Sequence, residues 1–389
     1  MKYASPFVRV IAKRLPIYCA IYFGLFSYLF QRWVECDVLA QAQFQLSEGA
    51  TVYHPSLYAL FCTLLLLLPG LLLHRFCHWL PLRLLAVNWL PSFLLLGLLC
   101  HWRFPEVGDT ASAPSWWWVA VTLVAWAVLL YMGWGFRDST KESSTFATYA
   151  WPNALLLALF SVISVSFANT DIRTHRTLAA LRLAEEGQWQ SVLRQARHEQ
   201  HPPRQLSMLT ALALSQTGQL ADRLFAYPQP RGAEGLLPLE GDTLLFHSLP
   251  RLVGHHLRYL KSDRTTLDLL FAAVDTDAAQ PLRHYHLAAL LLERRLPEFA
   301  QLLRQDSTLS PPLPRHYAEA LALLSPTDSL APIDSSVLQS LQSFDSLRLG
   351  TSPLLRSREL SERRFQCHRR YGDTYWFYFY FPPKNENEN

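Results

Sequence analysis

The sequence predicts an all-α protein: an N-terminal five-helix transmembrane bundle followed by a soluble domain of stacked α-hairpins. Three observations carry that prediction. Long apolar runs dominate the chain before about residue 168, whereas charges recur every few residues after it. The later half shows helical periodicity. A helix–Gly–helix pattern also recurs there at a fixed interval.

Five segments are long enough to cross a bilayer: 15–31, 57–73, 84–100, 116–136 and 151–167. A spanning helix needs about 20 mostly apolar residues, with a range of about 17–25. None of the five contains Asp, Glu, Lys or Arg. Pro16, Pro69, Pro91 and Pro152 lie in them or at their ends, which membrane helices tolerate. Trp116, Trp117 and Trp118 open the fourth segment and read as an interfacial anchor. Asn88 and Asn153 read as hydrogen-bond links between helices. Ala40-Gln41-Ala42 resembles a leader-peptide cleavage site, but it lies about ten residues past the apolar run. The first span is therefore expected to stay as an anchor.

Orientation follows from the flanks. Lys2, Arg9, Lys13 and Arg14 precede the first span, and Arg75 and Arg83 fill the second loop without an acid. The first loop sets Arg32 against Glu35, Asp37 and Glu48, and the third sets Arg103 against Glu106 and Asp109. Positive charge favours the cytoplasm. The N-terminus is thus expected inside the cell, and five spans deliver the polar half to the opposite side.

The polar half covers 169–370. Its clearest element is TLAALRLAEEGQWQSVLRQA, where Leu178, Leu181 and Ala184 recur at helical spacing, Gly187 breaks the helix, and Trp189, Val192, Leu193 and Ala196 mark the next one. LTALALSQTGQLADRLF repeats the pattern with Gly218 in place of Gly187, 31 residues on, close to the ~34 of a tetratricopeptide unit. YHLAALLLERRLPEFAQLL is a degenerate third copy with Arg295 where Gly is expected. One hairpin cannot bury its apolar face alone, but a stack can. Ala179, Ala180, Ala211 and Ala213 suit close helix approach. Loops are expected at Pro228–Asp242, through DSTLSPPLP and through SPTDSLAPIDSS.

Residues 371–389 form a third part. Tyr375 through Phe381 are seven consecutive aromatic residues. As a strand they would set Tyr375, Phe377, Phe379 and Phe381 on one face and Trp376, Tyr378 and Tyr380 on the other. Three fates are open: capping the helical stack, lying in the membrane interface, or being captured by a partner. Burying seven rings favours the cap. Tyr375, Trp376, Phe377, Tyr378 and Phe379 are the packing or partner-binding candidates. The terminal PPKNENEN is expected to be disordered.

The stretches TGQLADRLFAYPQ (Thr217–Gln229), GAEGLLP (Gly232–Pro238), LPRHYAEAL (Leu313–Leu321) and YGDTYWFYFYF resemble a group of uncharacterised multi-pass membrane proteins from Bacteroidetes. Those proteins combine an N-terminal bundle with a C-terminal helical-repeat region. The resemblance covers most of the chain and implies a bacterial inner membrane with a periplasmic repeat domain. It transfers no catalytic residue.

Chemistry is sparse. The net charge of +4 gives no case for nucleic acid, and the 35 basic residues form no phosphate track. His198-Glu199-Gln200-His201 spaces its histidines three apart, where a zinc helix needs four. His255-His256 and His284-Tyr285-His286 lack acidic or cysteine neighbours and read as surface or packing residues. Cys36 and Cys100 fall near the outer ends of their helices, and packing thiols are expected rather than a disulfide. Phosphate-loop, dinucleotide and serine-nucleophile motifs are absent from the sequence. Glu35-Cys36-Asp37 sits just outside the first span. Membrane glycosyltransferases with lipid-phosphate donors carry paired acids in that place, so a transferase using Glu35 and Asp37 is the alternative, by analogy. The leading expectation is a non-enzymatic scaffold without cofactor, held in the lipid bilayer, whose repeat domain binds a protein or peptide.

Overall fold

A computed structural model describes residues 6–47, 50–77, 79–104, 116–135, 146–236, 280–305, 312–324, 334–351 and 360–383. Among them every regular element is helical. The chain divides into two compact units, the described residues of the first ending at His175 and those of the second starting at Arg176.

In the first unit, helix α1 (Pro6–Leu29) packs on α3 (Pro55–Phe76) and α6 (Ala147–Phe167). A tight 3-10 segment, Leu82–Trp89, leads into α4 (Leu90–Leu99), which lies against α3 and α6. Phe23, Trp89, Phe93 and Phe160 fill the centre, with Phe23 and Phe93 edge to face at 4.9 Å. The outward side chains are just as apolar: Ile17, Ile21 and Leu25 on α1, and Leu64, Leu68 and Leu72 on α3, are all exposed. An apolar exterior of that extent is consistent with a membrane protein. Four helical segments are long and apolar enough to span: Val10–Val34, Pro55–Phe76, Leu82–Leu99 and Ala147–Phe167.

The fourth expected span is the apolar helix α5 (Trp116–Gly135), whose stretch 117–132 falls short of those four in length. It docks on the 3-10 segment, where the Trp126 indole donates to the Val87 carbonyl at 2.9 Å. Of the two asparagines expected to link helices, Asn153 does so: its Oδ1 accepts from Ala86 N at 2.6 Å and its Nδ2 donates to the Leu82 and Tyr149 carbonyls. Asn88 is fully buried, with neither amide atom hydrogen-bonded.

The segment after the first span is helical, where a loop was expected. A π-helical turn, Phe30–Val34, closes with Glu35 N donating to Phe30 O at 3.0 Å. Helix α2 (Cys36–Ser47) follows at once. The wider turn swings the chain and sets Glu35 inward.

The first hairpin is α7 (Ile172–Glu185) and α8 (Trp189–Arg197). In the second unit, α8 packs on α9 (Arg204–Gln216), which turns into α10 (Leu220–Arg223) and a 3-10 turn, Leu224–Ala226. A further hairpin joins α11 (Gln280–Leu292) to α12 (Leu296–Gln305). All three hairpins turn in the same way. Gly187, Gly218 and Arg294 have φ of 71°, 67° and 59°. In each, the next residue's N–H reaches back five residues, from Gln188 to Leu183, Gln219 to Leu214 and Arg295 to Leu290. This bond closes a helix end through one left-handed residue. The residue at the glycine position of the third copy is therefore Arg294, one place before the expected Arg295.

The remaining helices are α13 (Arg315–Leu321), α14 (Ser335–Leu349), α15 (Leu360–Tyr371) and α16 (Tyr375–Tyr380). The loop expected at Pro228–Asp242 contains a 3-10 turn, Gly232–Gly235, held to α9 by Arg204 Nε donating to Glu234 O at 2.9 Å. Its residues 237–242, His255-His256, much of both later breaks and the end of the terminal tail, 384–389, lie outside the described residues.

Candidate functional site

The aromatic segment folds as a helix, α16, rather than the strand its composition favours. Sheet pairing needs a neighbouring edge, and the domain around it is helical. Thr374 starts the helix, its hydroxyl accepting from Phe377 N at 3.3 Å. Helical spacing then sorts the rings differently from a strand. Tyr375 and Tyr378 meet Phe225 at 5.1 and 5.0 Å. Trp376 and Tyr380 meet Phe344 at 6.2 and 5.9 Å. Tyr375 and Trp376 are buried, whereas Phe377, Tyr378 and Phe379 are half-buried. Phe377 packs on His368 and Phe379 on Tyr375.

One carboxylate organises the contact. Glu319 on α13 is buried, and its oxygens accept from Arg315 Nε, His316 Nδ1 and Tyr375 N at 2.9, 2.9 and 2.8 Å. Its carbonyl accepts from the Trp376 indole at 2.7 Å. Phe225 N donates to His316 Nε2 at 3.4 Å, which places the imidazole hydrogen on Nδ1 and aims it at Glu319. Arg315 also bonds Asp373 at 2.9 Å, and that bond holds the Asp373 carboxyl below its ordinary value. Asp222 accepts from Arg315 N at 2.7 Å. The Tyr378 hydroxyl donates to Leu292 O, the last carbonyl of α11, at 3.0 Å. The four stretches that carry the family resemblance thus converge: Asp222 and Phe225 from the first, Gly232 beside the Tyr378 hydroxyl from the second, Arg315, His316 and Glu319 from the third, and the aromatic helix from the fourth.

Beside this node lies an open cleft of about 890 Å³. Leu313, Arg315 and Ala318 form one wall, Asp334, Ser336, Val337 and Ser340 another, and Arg370, Tyr371 and Trp376 the end. Sequence reasoning did not find it, because its walls come from three separated stretches.

The acid pair is split by environment. Glu35 is 1% exposed and its Oε2 has no hydrogen-bond partner. Burial pushes its carboxyl up to about 8, so it is a protonated acid at neutral pH. Asp37 is half-buried on α2. Of the histidine motifs, Glu199 is tied to Arg176 at 3.0 Å and His284 Nδ1 meets the Tyr317 hydroxyl at 3.0 Å. All six cysteines are free thiols. Among the described residues no three His, Cys, Asp or Glu side chains gather to hold a metal ion.

Neither a curated protein nor a solved structure matches this chain. A family model does match, over residues 52–251 and 253–382, a range that takes in α3 to α6, the hairpins and the whole aromatic node. The chain belongs to that family, the family of unknown function DUF6057.

Proposed function

We propose that the protein is a non-enzymatic membrane scaffold whose helical-hairpin domain binds an extended segment of a protein partner. The observation that carries this reading is the cleft beside the aromatic helix. Its volume, about 890 Å³, lies within the ~300–1,000 Å³ of ligand sites. Its lining mixes cation, acid, hydroxyl and apolar groups, as a peptide backbone with varied side chains requires. The Arg315–Glu319–Asp373 network holds one wall in place before any partner arrives.

Two further features support parts of this reading. The three hairpins share one turn geometry, and the first two are 31 residues apart, which favours tetratricopeptide-like stacking. Helix α5 is 20 residues long with no charge, about 30 Å of helix, enough for a fifth span. Five spans, with the basic N-terminus in the cytoplasm, put the cleft on the periplasmic side of a bacterial inner membrane. Alkaline phosphatase fused after Asn389 is then active, and an inactive fusion of a well-expressed protein reverses the orientation. The transferase reading gains little from the geometry, because an acid buried in its protonated form is a poor metal ligand.

A photocrosslinking amino acid at Ser340 tests the cleft in cells, with one at exposed Arg194 on α8 as control. A discrete adduct from position 340 that Arg370→Glu removes supports the proposal. No adduct from a folded, membrane-inserted protein sinks it.

A further inference from the structure

Glu35 closes the π-turn after the first span, and its surroundings satisfy neither of its charge states. If ionised, it needs donors, yet the nearest is His175 Nε2, 4.0 Å from Oε1. That nitrogen already donates to the Asn169 carbonyl at 2.7 Å, so the carboxylate receives only a long contact. If protonated, it loses the charge that burial penalises, and its second oxygen still has no partner.

Arg32, His101 and Asp171 are engaged elsewhere. Arg32 Nε donates to the Ser56 hydroxyl at 3.2 Å. His101 Nδ1 pairs with Phe167 O at 2.7 Å. Asp171 accepts from Arg173 N, Thr174 N and the Thr174 hydroxyl. Asp37 follows two residues on, and Arg103 lies beyond the end of α4. The Cys100 thiol, buried at the end of α4, lies close enough to Glu35 to feel its charge. Tyr53 stands near Cys36 and Cys100, and its buried hydroxyl oxygen has no partner.

We propose that Glu35 and His175 form a proton-operated clasp within the first unit. With a proton on Glu35 the acid stays buried against the first turn of α7, and loss of the proton opens that contact to water. Opening follows because a carboxylate at this depth has no full counter-ion: the His175 Nε2 hydrogen is spent on the Asn169 carbonyl. The clasp does not depend on what the cleft binds.

pH-difference infrared spectroscopy of the full-length protein in detergent micelles tests this directly. A protonated-carboxyl band is expected at about pH 7, fading at mildly alkaline pH and missing from Glu35→Gln. His175→Leu removes the nearby donor and moves the midpoint higher, which keeps the test decisive if the glutamine variant misfolds. Hydrogen exchange of segments 30–39 and 169–178, corrected for intrinsic rates, should lose protection about tenfold as the band fades, and not in Glu35→Gln. A Glu35 band that titrates in the ordinary carboxylate range, or protection that falls equally in both proteins, overturns the clasp.

Discussion

Arg294 holds a backbone conformation that costs an L-residue about 1–2 kcal/mol, at the turn where the other two hairpins carry glycine. Its side chain is exposed. Arg294→Gly should therefore stabilise the protein, by about 0.5–1 kcal/mol after the greater unfolded-state freedom of glycine is set against the relieved strain. Denaturant unfolding of the two proteins side by side measures it, and a destabilised variant would contradict the strain argument. Glu35 makes a prediction of opposite kind to the usual carboxylate. Its folded value is raised to about 8 from 4.5, so between those limits the native state keeps a proton that the unfolded chain has released. Its contribution is full below the unfolded value and is lost as pH rises through about 8. Stability should fall on the order of 1 kcal/mol per pH unit across that window. The slope of melting temperature against pH should flatten in Glu35→Gln.

Among the elements, α4 and α6 lie in tight contact at Gly97. A Cβ there would stand 2.8 Å from the Ser164 carbonyl oxygen and 2.9 Å from the Phe167 Cβ. Neither can yield without moving a helix. Gly97→Val should destabilise the bundle by about 1–3 kcal/mol, read as a lower melting temperature in detergent. Gly24, which has open space where its Cβ would go, is the control position for the same substitution. The two kinds of span were unequally legible. Unbroken apolar runs such as Pro55–Phe76 announce themselves, because a bilayer demands nothing else of them. The 3-10 entry of Leu82–Trp89 and the π-turn at Phe30–Val34 did not, because both are local adjustments to neighbours: the first is held by Asn153 and Trp126, the second is followed at once by α2.

At the scale of the whole molecule, the aromatic helix is part of the second unit's interior. Truncation after Gly372 removes Tyr375 and Trp376 from between Phe225, Glu319 and Phe344 and leaves the Glu319 oxygens short of a donor. Each lost aromatic costs about 3–5 kcal/mol, against total domain stabilities of about 5–15 kcal/mol. The truncated chain should be cut readily within 176–372 by low protease concentrations that leave the full chain intact. Equal resistance would mean that the helix only decorates the surface. A truncation therefore tests folding, and cleft variants such as Arg370→Glu test binding.

The sequence alone determined that this is a helical protein with segments long and apolar enough to span a membrane and a polar second half. Bilayer thickness and helix periodicity write themselves into composition and spacing, and neither needs a distant contact. It also marked the hairpin turns, because a left-handed residue favours glycine locally. At the third turn arginine occupies that position, and the position was misread by one. Only the tertiary structure decided that the aromatic run is a helix, that Glu319 is its anchor, that three separate stretches enclose a cleft, and that Glu35 and Asp37, two residues apart, live in different environments. Those outcomes depend on which surfaces meet after the chain has folded, and burial is a property of the neighbours rather than of the residue.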